Sequence, residues 1–88
     1  MRTHFTFLND PGHGWLIVTP AELASVGLTE ADISPCSYTN GHQIGLEEDC
    51  DAPRFMAAYK AKFGTEPEII DDLGTCRNWA CFGTRHGS

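Results

Sequence analysis

The sequence predicts an α+β fold: a small antiparallel sheet of four to five strands with two helices on one face, in the order ββαββαβ. Three observations predict it. Short stretches of period-two alternation or β-branched composition recur along the chain, two segments carry helix-capping signals, and clusters of turn-forming residues separate them. At 88 residues the chain suffices for one core, because domains begin near ~50 residues. Residues 1–88 therefore read as a single domain, with 83–88 as a frayed tail.

Thr3 to Leu8 alternates, with Phe5 and Phe7 on one face and His4 and Thr6 on the other, which is the period of a half-buried strand. Asn9 to Gly14 gathers turn formers, and Trp15 to Val18 follows at hairpin distance as a second strand. Thr19-Pro20-Ala21-Glu22 has the form of a capping box, with proline suited to the first helical turn. Leu23 and Val26 supply this helix's inner face and Gly27 its stop. Thr29 to Asp32 reads as another short capped turn, flanked by buried Leu28 and Ile33. Asn40-Gly41 predicts a hairpin closed by a type I′ turn, since both residues tolerate positive φ. Phe55, Met56, Tyr59 and Phe63 recur at helical spacing, with Asp49 or Asp51 as cap and Gly64 as stop, and the three aromatics read as core. Glu66 to Asp72 has a β-branched centre and reads as the last strand, with Pro67 marking a sheet edge or a strand's first position. Between Leu73 and Ser88 a further strand is expected to pack Trp79 and Phe82.

Charge narrows the function classes. Twelve acids against six Lys and Arg give a net charge of −6. The stretch from Thr3 to Pro53 contains no Lys or Arg but holds Asp10, Glu22, Glu30, Asp32, Glu47, Glu48, Asp49 and Asp51. A surface of one sign repels phosphates and anionic headgroups, so direct binding to nucleic acid or membrane is disfavoured and a basic protein partner is favoured. The longest apolar run, Trp15 to Val18, is far short of the ~20 residues that span a bilayer, and the N-terminus lacks a signal-peptide pattern. A cytoplasmic location with free thiols is the expectation.

Each candidate chemistry has a structural alternative. The acidic run Glu47 to Asp51 has the ligand type for a hard cation but lacks the spacing of a calcium loop, and carboxylates before a helix also cap it; no metal is assigned. Cys76, Cys81 and His86 are evenly spaced, but Cys36 and Cys50 do not complete a zinc-binding knuckle pattern. Nucleophilic catalysis would have to pair Cys50 with His13 or His42, and the carboxylates around Cys50 oppose its thiolate. His13, between two glycines in a turn, and Trp79, in the tail, are candidate contact residues. No cofactor is indicated, and a protein that is not an enzyme is expected.

His13 to Val18 (HGWLIV), Ile33 to Tyr38 (ISPCSY) with Gly41, and Leu46 to Ala52 (LEEDCDA) with Phe55 resemble a group of small proteins carried by bacterial phages, plasmids and other mobile elements. The similarity spans roughly residues 4–64. The group brings no assigned activity, so no catalytic residue is carried over, but it implies a mobile-element setting. Small acidic proteins from that setting often disarm host nucleic-acid machinery. The expected function is accordingly that of an inhibitor or modulator, of the anti-CRISPR type, that occludes a basic host protein surface in a nucleic-acid-binding complex. Its contact residues would be Glu47, Glu48, Asp49 and Asp51, with Glu30 and Asp32 adjoining and His13 and Trp79 as further contacts. The alternatives are a homo-oligomeric accessory protein of a phage or plasmid assembly, such as a homodimer anchored on Trp79, and a small zinc or thiol module.

Overall fold

A computed structural model describes residues 3–81. Strands β1 (His4–Asn9) and β2 (Gly14–Val18) form the expected hairpin, with Phe7 opposite Leu16 and Asn9 opposite Gly14. Helix α1 (Pro20–Ser25) starts at the capping box: the Glu22 N–H donates to Thr19 Oγ1 at 3.2 Å and the Thr19 N–H to Glu22 Oε1 at 2.9 Å. A 3-10 turn over Glu30–Asp32 follows, where the Thr29 N–H donates to Asp32 Oδ2 at 2.8 Å. Then come β3 (Tyr38–Thr39), β4 (Ile44–Glu47), α2 (Ala52–Phe63), β5 (Glu68–Leu73) and β6 (Ala80–Cys81). Gly64 ends α2 in the left-handed conformation at φ 80°.

The sheet is larger than expected and mixed. Its six strands lie in the order β5-β1-β2-β4-β3-β6, and β5 pairs with β1 in parallel, Phe5 beside Ile69 and Phe7 beside Asp71. The physical reason is α2. Its twelve residues are long enough to carry the chain back along the sheet, so β5 runs in the same direction as β4 and lands beyond β1. The β3–β4 hairpin also departs from expectation. No non-glycine residue among those described has positive φ, so Asn40 is not in a type I′ turn. Instead Asn40 Oδ1 accepts from the N–H groups of His42 (2.9 Å) and Gln43 (2.7 Å), a side-chain turn that leaves positive φ to Gly41 alone.

Both helices pack on one face. Phe5, Leu16, Val18, Ile44 and Leu46 from the strands meet Leu23 and Val26 of α1 and Phe55 and Tyr59 of α2. Phe5 stands edge-on to Phe55 at 5.3 Å and to Tyr59 at 5.9 Å, a favoured aromatic geometry. Phe63 departs from the expected core: it is 42% exposed and meets the Tyr59 ring at 4.7 Å between ring centroids.

The second face is also covered. β5 and β6 lie at opposite edges, so the chain between them crosses behind the sheet and lays Cys76 and Trp79 over Trp15 and Ile17, with Leu8 and Tyr38 alongside. Gly45 permits this approach, because a Cβ there would lie 2.6 Å from Cys76 Sγ. Trp79 thus packs in the fold, as expected of it, and is half-buried. Phe82 and the tail 83–88 lie outside the described residues.

Candidate functional site

Two of the expected contact residues are interior. Asp51 is 2% exposed. Its carboxylate accepts from the Ser34 N–H (3.1 Å), the Ser34 hydroxyl (2.7 Å) and the Ser37 hydroxyl. Ser37 Oγ in turn accepts from the Glu47 N–H at 3.0 Å, so one buried network ties the approach to β3, the end of β4 and the start of α2. Asp51 occupies the cap position of α2, but its side chain makes no cap bond because it is turned toward these serines. Glu47 is 8% exposed, and its Oε1 accepts from the N–H groups of Asp49 (2.8 Å) and Cys50 (3.1 Å). Neither carboxylate is free to meet a partner; both hold the chain.

Glu48 and Asp49 are exposed, as expected. Glu47, Glu48 and Asp49 each offer a carboxylate oxygen within 4.8 Å of the others, a spacing suited to a hard cation, although Glu47 is already engaged by backbone donors. Glu30 is half-buried in the 3-10 turn and Asp32 is exposed beside it. Asp32 is held below the ordinary carboxylate pKa first by the Thr29 N–H, then by the Thr29 hydroxyl, with Arg54 adding attraction.

His13 and Trp79 converge on Trp15. His13 stacks on the Trp15 ring at 6.0 Å and 17°, and the Arg77 guanidinium lies 5.9 Å from the ring centroid. Arg77 Nη2 is 2.8 Å from His13 Nδ1, and because guanidinium only donates, Nδ1 is the acceptor of this contact. Arg77 Nε pairs with Asp10 Oδ2 at 2.7 Å, and Asp10 also accepts from the Thr75 hydroxyl and the N–H groups of Gly12 and His13. This cluster latches the segment crossing the second face to the β1–β2 turn.

Asp10 is the titrating member of the latch. Its carboxyl is held below the ordinary value of 3.8, chiefly by Arg77 and further by its N–H and hydroxyl donors. A depressed folded pKa contributes stability above the unfolded pKa and loses it as pH falls through the folded value. The stability gap between the wild type and Asp10→Asn is expected to be largest at neutral pH and to shrink only in strong acid. Urea unfolding across pH measures it, and a gap independent of pH contradicts the assignment.

The solvent-exposed carboxylates lie elsewhere, and two of them make local bonds: Asp71 Oδ1 accepts from Asn9 Nδ2 at 3.4 Å and Asp72 Oδ1 from the Leu73 N–H at 2.9 Å. β1, β4 and β5 run in one direction and β2 against them, so the ends of β5, β1 and β4 and the start of β2 share one rim of the sheet. Asp71 and Asp72 sit there on β5, and Glu48 and Asp49 just past β4, three interstrand spacings or about 15 Å away. Arg77 stands at the same rim, committed to Asp10. α2 starts near this rim and runs away from it, which puts Lys60 and Lys62, in its last turn, at the far end. β5 itself interleaves Glu68, Asp71 and Asp72 with Ile69, Ile70 and Leu73, the last 88% exposed. Against its helix side opens a groove of about 300 Å³ lined by Phe7, Leu16, Ala52, Met56, Ile69 and Asp71. Pro67 signals a sheet edge or a strand's first position here, but the charge asymmetry of the N-terminal stretch carries no sign that Asp71 and Asp72 share a rim with Glu48 and Asp49.

Two of the thiols, Cys50 and Cys76, are ill-suited to nucleophilic chemistry. Cys50 is pushed up to about 12, first by a hydrogen bond with the Cys36 thiol, then by burial, and only third by Glu47, so the neighbouring carboxylates expected to dominate are secondary. Cys76 is pushed up to about 12 by burial in the second-face core. At mildly alkaline pH, iodoacetamide should modify Cys50 about a thousandfold more slowly than an unperturbed thiol, since the thiolate is the reacting form. Peptide mass mapping over time reads this, and rapid labelling of Cys50 contradicts it. Cys81 donates to the Pro35 carbonyl at 2.8 Å, and His86, the third residue of the zinc alternative, lies outside the described residues. Among the described residues no helix is long and apolar enough to cross a membrane. Comparison with protein-family models, with curated proteins and with solved structures finds no match to this chain.

Proposed function

We propose that this protein is a non-enzymatic binding module that docks its acidic rim and the adjoining β5 edge against a basic protein surface. The observation that carries the reading is the placement of Glu48, Asp49, Asp71 and Asp72 at one rim, while Asp10, Glu47 and Asp51 are consumed by internal bonds. Carboxylates committed to the fold stabilise it; those left in solvent on one side set a field for cationic partners. Lys and Arg surfaces of this kind are found where proteins hold phosphates, which fits a nucleic-acid-handling complex of a bacterial host and the mobile-element setting implied by the HGWLIV and LEEDCDA segments. Inhibition then follows from occlusion, as in an anti-CRISPR protein. The raised thiols of Cys50 and Cys76 speak against these two as nucleophiles.

A homodimer through β5 is the poorer reading. Antiparallel self-pairing about Ile70 sets Glu68 against Asp72 twice, and like charges directly opposite are destabilising. Tagged protein should retain a Lys- and Arg-rich complex from bacterial lysate at low salt. The variant Glu48→Lys, Asp49→Lys, Asp71→Lys, Asp72→Lys, with unchanged circular dichroism, should lose it. Equal retention by both proteins rejects the acidic rim.

A further inference from the structure

The open edge of β5 specifies how a partner is held, and not only its charge. The Glu68 N–H donates to the Thr3 carbonyl at 2.9 Å and the Gly74 N–H to the Asn9 carbonyl at 3.0 Å, so the even-numbered residues of β5 turn their backbone groups toward β1. By strand alternation, Ile69, Asp71 and Leu73 turn theirs outward, where β5 is the last strand of the sheet. The outward run is bounded at both ends. Pro67, at the preceding outward position, has no N–H, and the Leu73 N–H is already taken by Asp72 Oδ1 at 2.9 Å. Ile69 and Asp71 are left with N–H and carbonyl groups facing away from the sheet.

We propose that β5 accepts an extended segment of the partner as an added antiparallel strand, hydrogen-bonded to Ile69 and Asp71, with apolar residues on one side and Lys or Arg on the other. This deepens the acidic-rim reading and rests on it. The two faces of the edge dictate the pattern. On the helix side the added strand adjoins Ile69, Asp71 and the mainly apolar groove of Phe7, Leu16, Ala52 and Met56, whose volume of about 300 Å³ accommodates a leucine-sized side chain. On the other side it adjoins Glu68, Ile70 and Asp72, where two carboxylates call for cations. A second copy of this chain fails the same test, because its own β5 brings carboxylates to carboxylates.

The probe is the peptide acetyl-Ser-Lys-Leu-Lys-Leu-Lys-Ser-amide, compared with the same peptide N-methylated at both leucines, which keeps its charge but removes two strand-forming N–H groups. Titrated into 15N-labelled protein, the first should shift the Ile69 and Asp71 amides, and the second should bind about tenfold more weakly or worse. Equal binding of the two, or shifts confined to Glu48 and Asp49, overturns strand addition and leaves the acidic rim standing. Failure of both peptides to bind also overturns strand addition, whereas the rim is judged separately by the charge-reversal variant.

Discussion

Asp51→Ala is expected to destabilise the protein by about 3 kcal/mol, although an aspartate in an acidic run at a helix start looks replaceable. Its carboxylate is the shared acceptor for the Ser34 N–H and for the hydroxyls of Ser34 and Ser37, and it is 2% exposed. Alanine leaves those donors facing a void that water cannot readily fill, and a buried donor without a partner costs about 1–3 kcal/mol. Asp51→Asn keeps one acceptor oxygen but turns an amide donor toward hydroxyls that also need to donate, so an intermediate loss is expected. Ser37→Ala should be strongly non-additive with Asp51→Ala, because both act on one network. Chemical denaturation of the three variants and the double variant measures this. A loss under about 1 kcal/mol for Asp51→Ala, the range of ordinary surface substitutions, would mean that Asp51 is a solvated surface acid.

Trp15→Ala is expected to cost about 4 kcal/mol, as for other large buried aromatics. Trp15 is 1% exposed and lies under His13, Arg77 and Trp79, joining the sheet to the segment that crosses its second face. Trp15→Phe should be much milder. The indole Nε1 is buried without a hydrogen-bond partner among the described residues, so phenylalanine gives up volume but no bond. Thermal unfolding and hydrogen exchange at Cys76 and Trp79 distinguish the cases. If Trp15→Ala left exchange there unchanged, the second face would not be a packed core.

Local signals in the sequence carried the helices and the first hairpin. Thr19 and Glu22 make the capping box that their spacing predicts, Gly64 stops α2, and Pro67, which signals a sheet edge or a strand's first position, directly precedes the edge strand β5. What depended on distant partners was not legible. The uninterrupted apolar run Trp15 to Val18 was itself a sign of burial on both faces, but its second cover comes from Cys76 and Trp79, some sixty residues later. Asp10 and Arg77 gave no hint of pairing across the chain. The acidic run illustrates the limit most clearly. Residue type alone cannot separate Asp51 and Glu47, turned inward to serines and backbone amides, from Glu48 and Asp49, turned to solvent. The parallel placement of β5, which brings Asp71 and Asp72 to the same rim, followed from a crossover through α2 that period and turn signals do not encode.

On the proposed reading, the acidic rim takes the place of phosphates on its partner. Displacement of a labelled oligonucleotide from the partner complex recovered with the tagged protein tests it most directly. Wild type should displace the oligonucleotide at stoichiometric amounts, less well as salt rises, while the variant with Glu48, Asp49, Asp71 and Asp72 all changed to Lys should not. A stable ternary complex of partner, oligonucleotide and this protein, or equal displacement by the variant, would contradict the account.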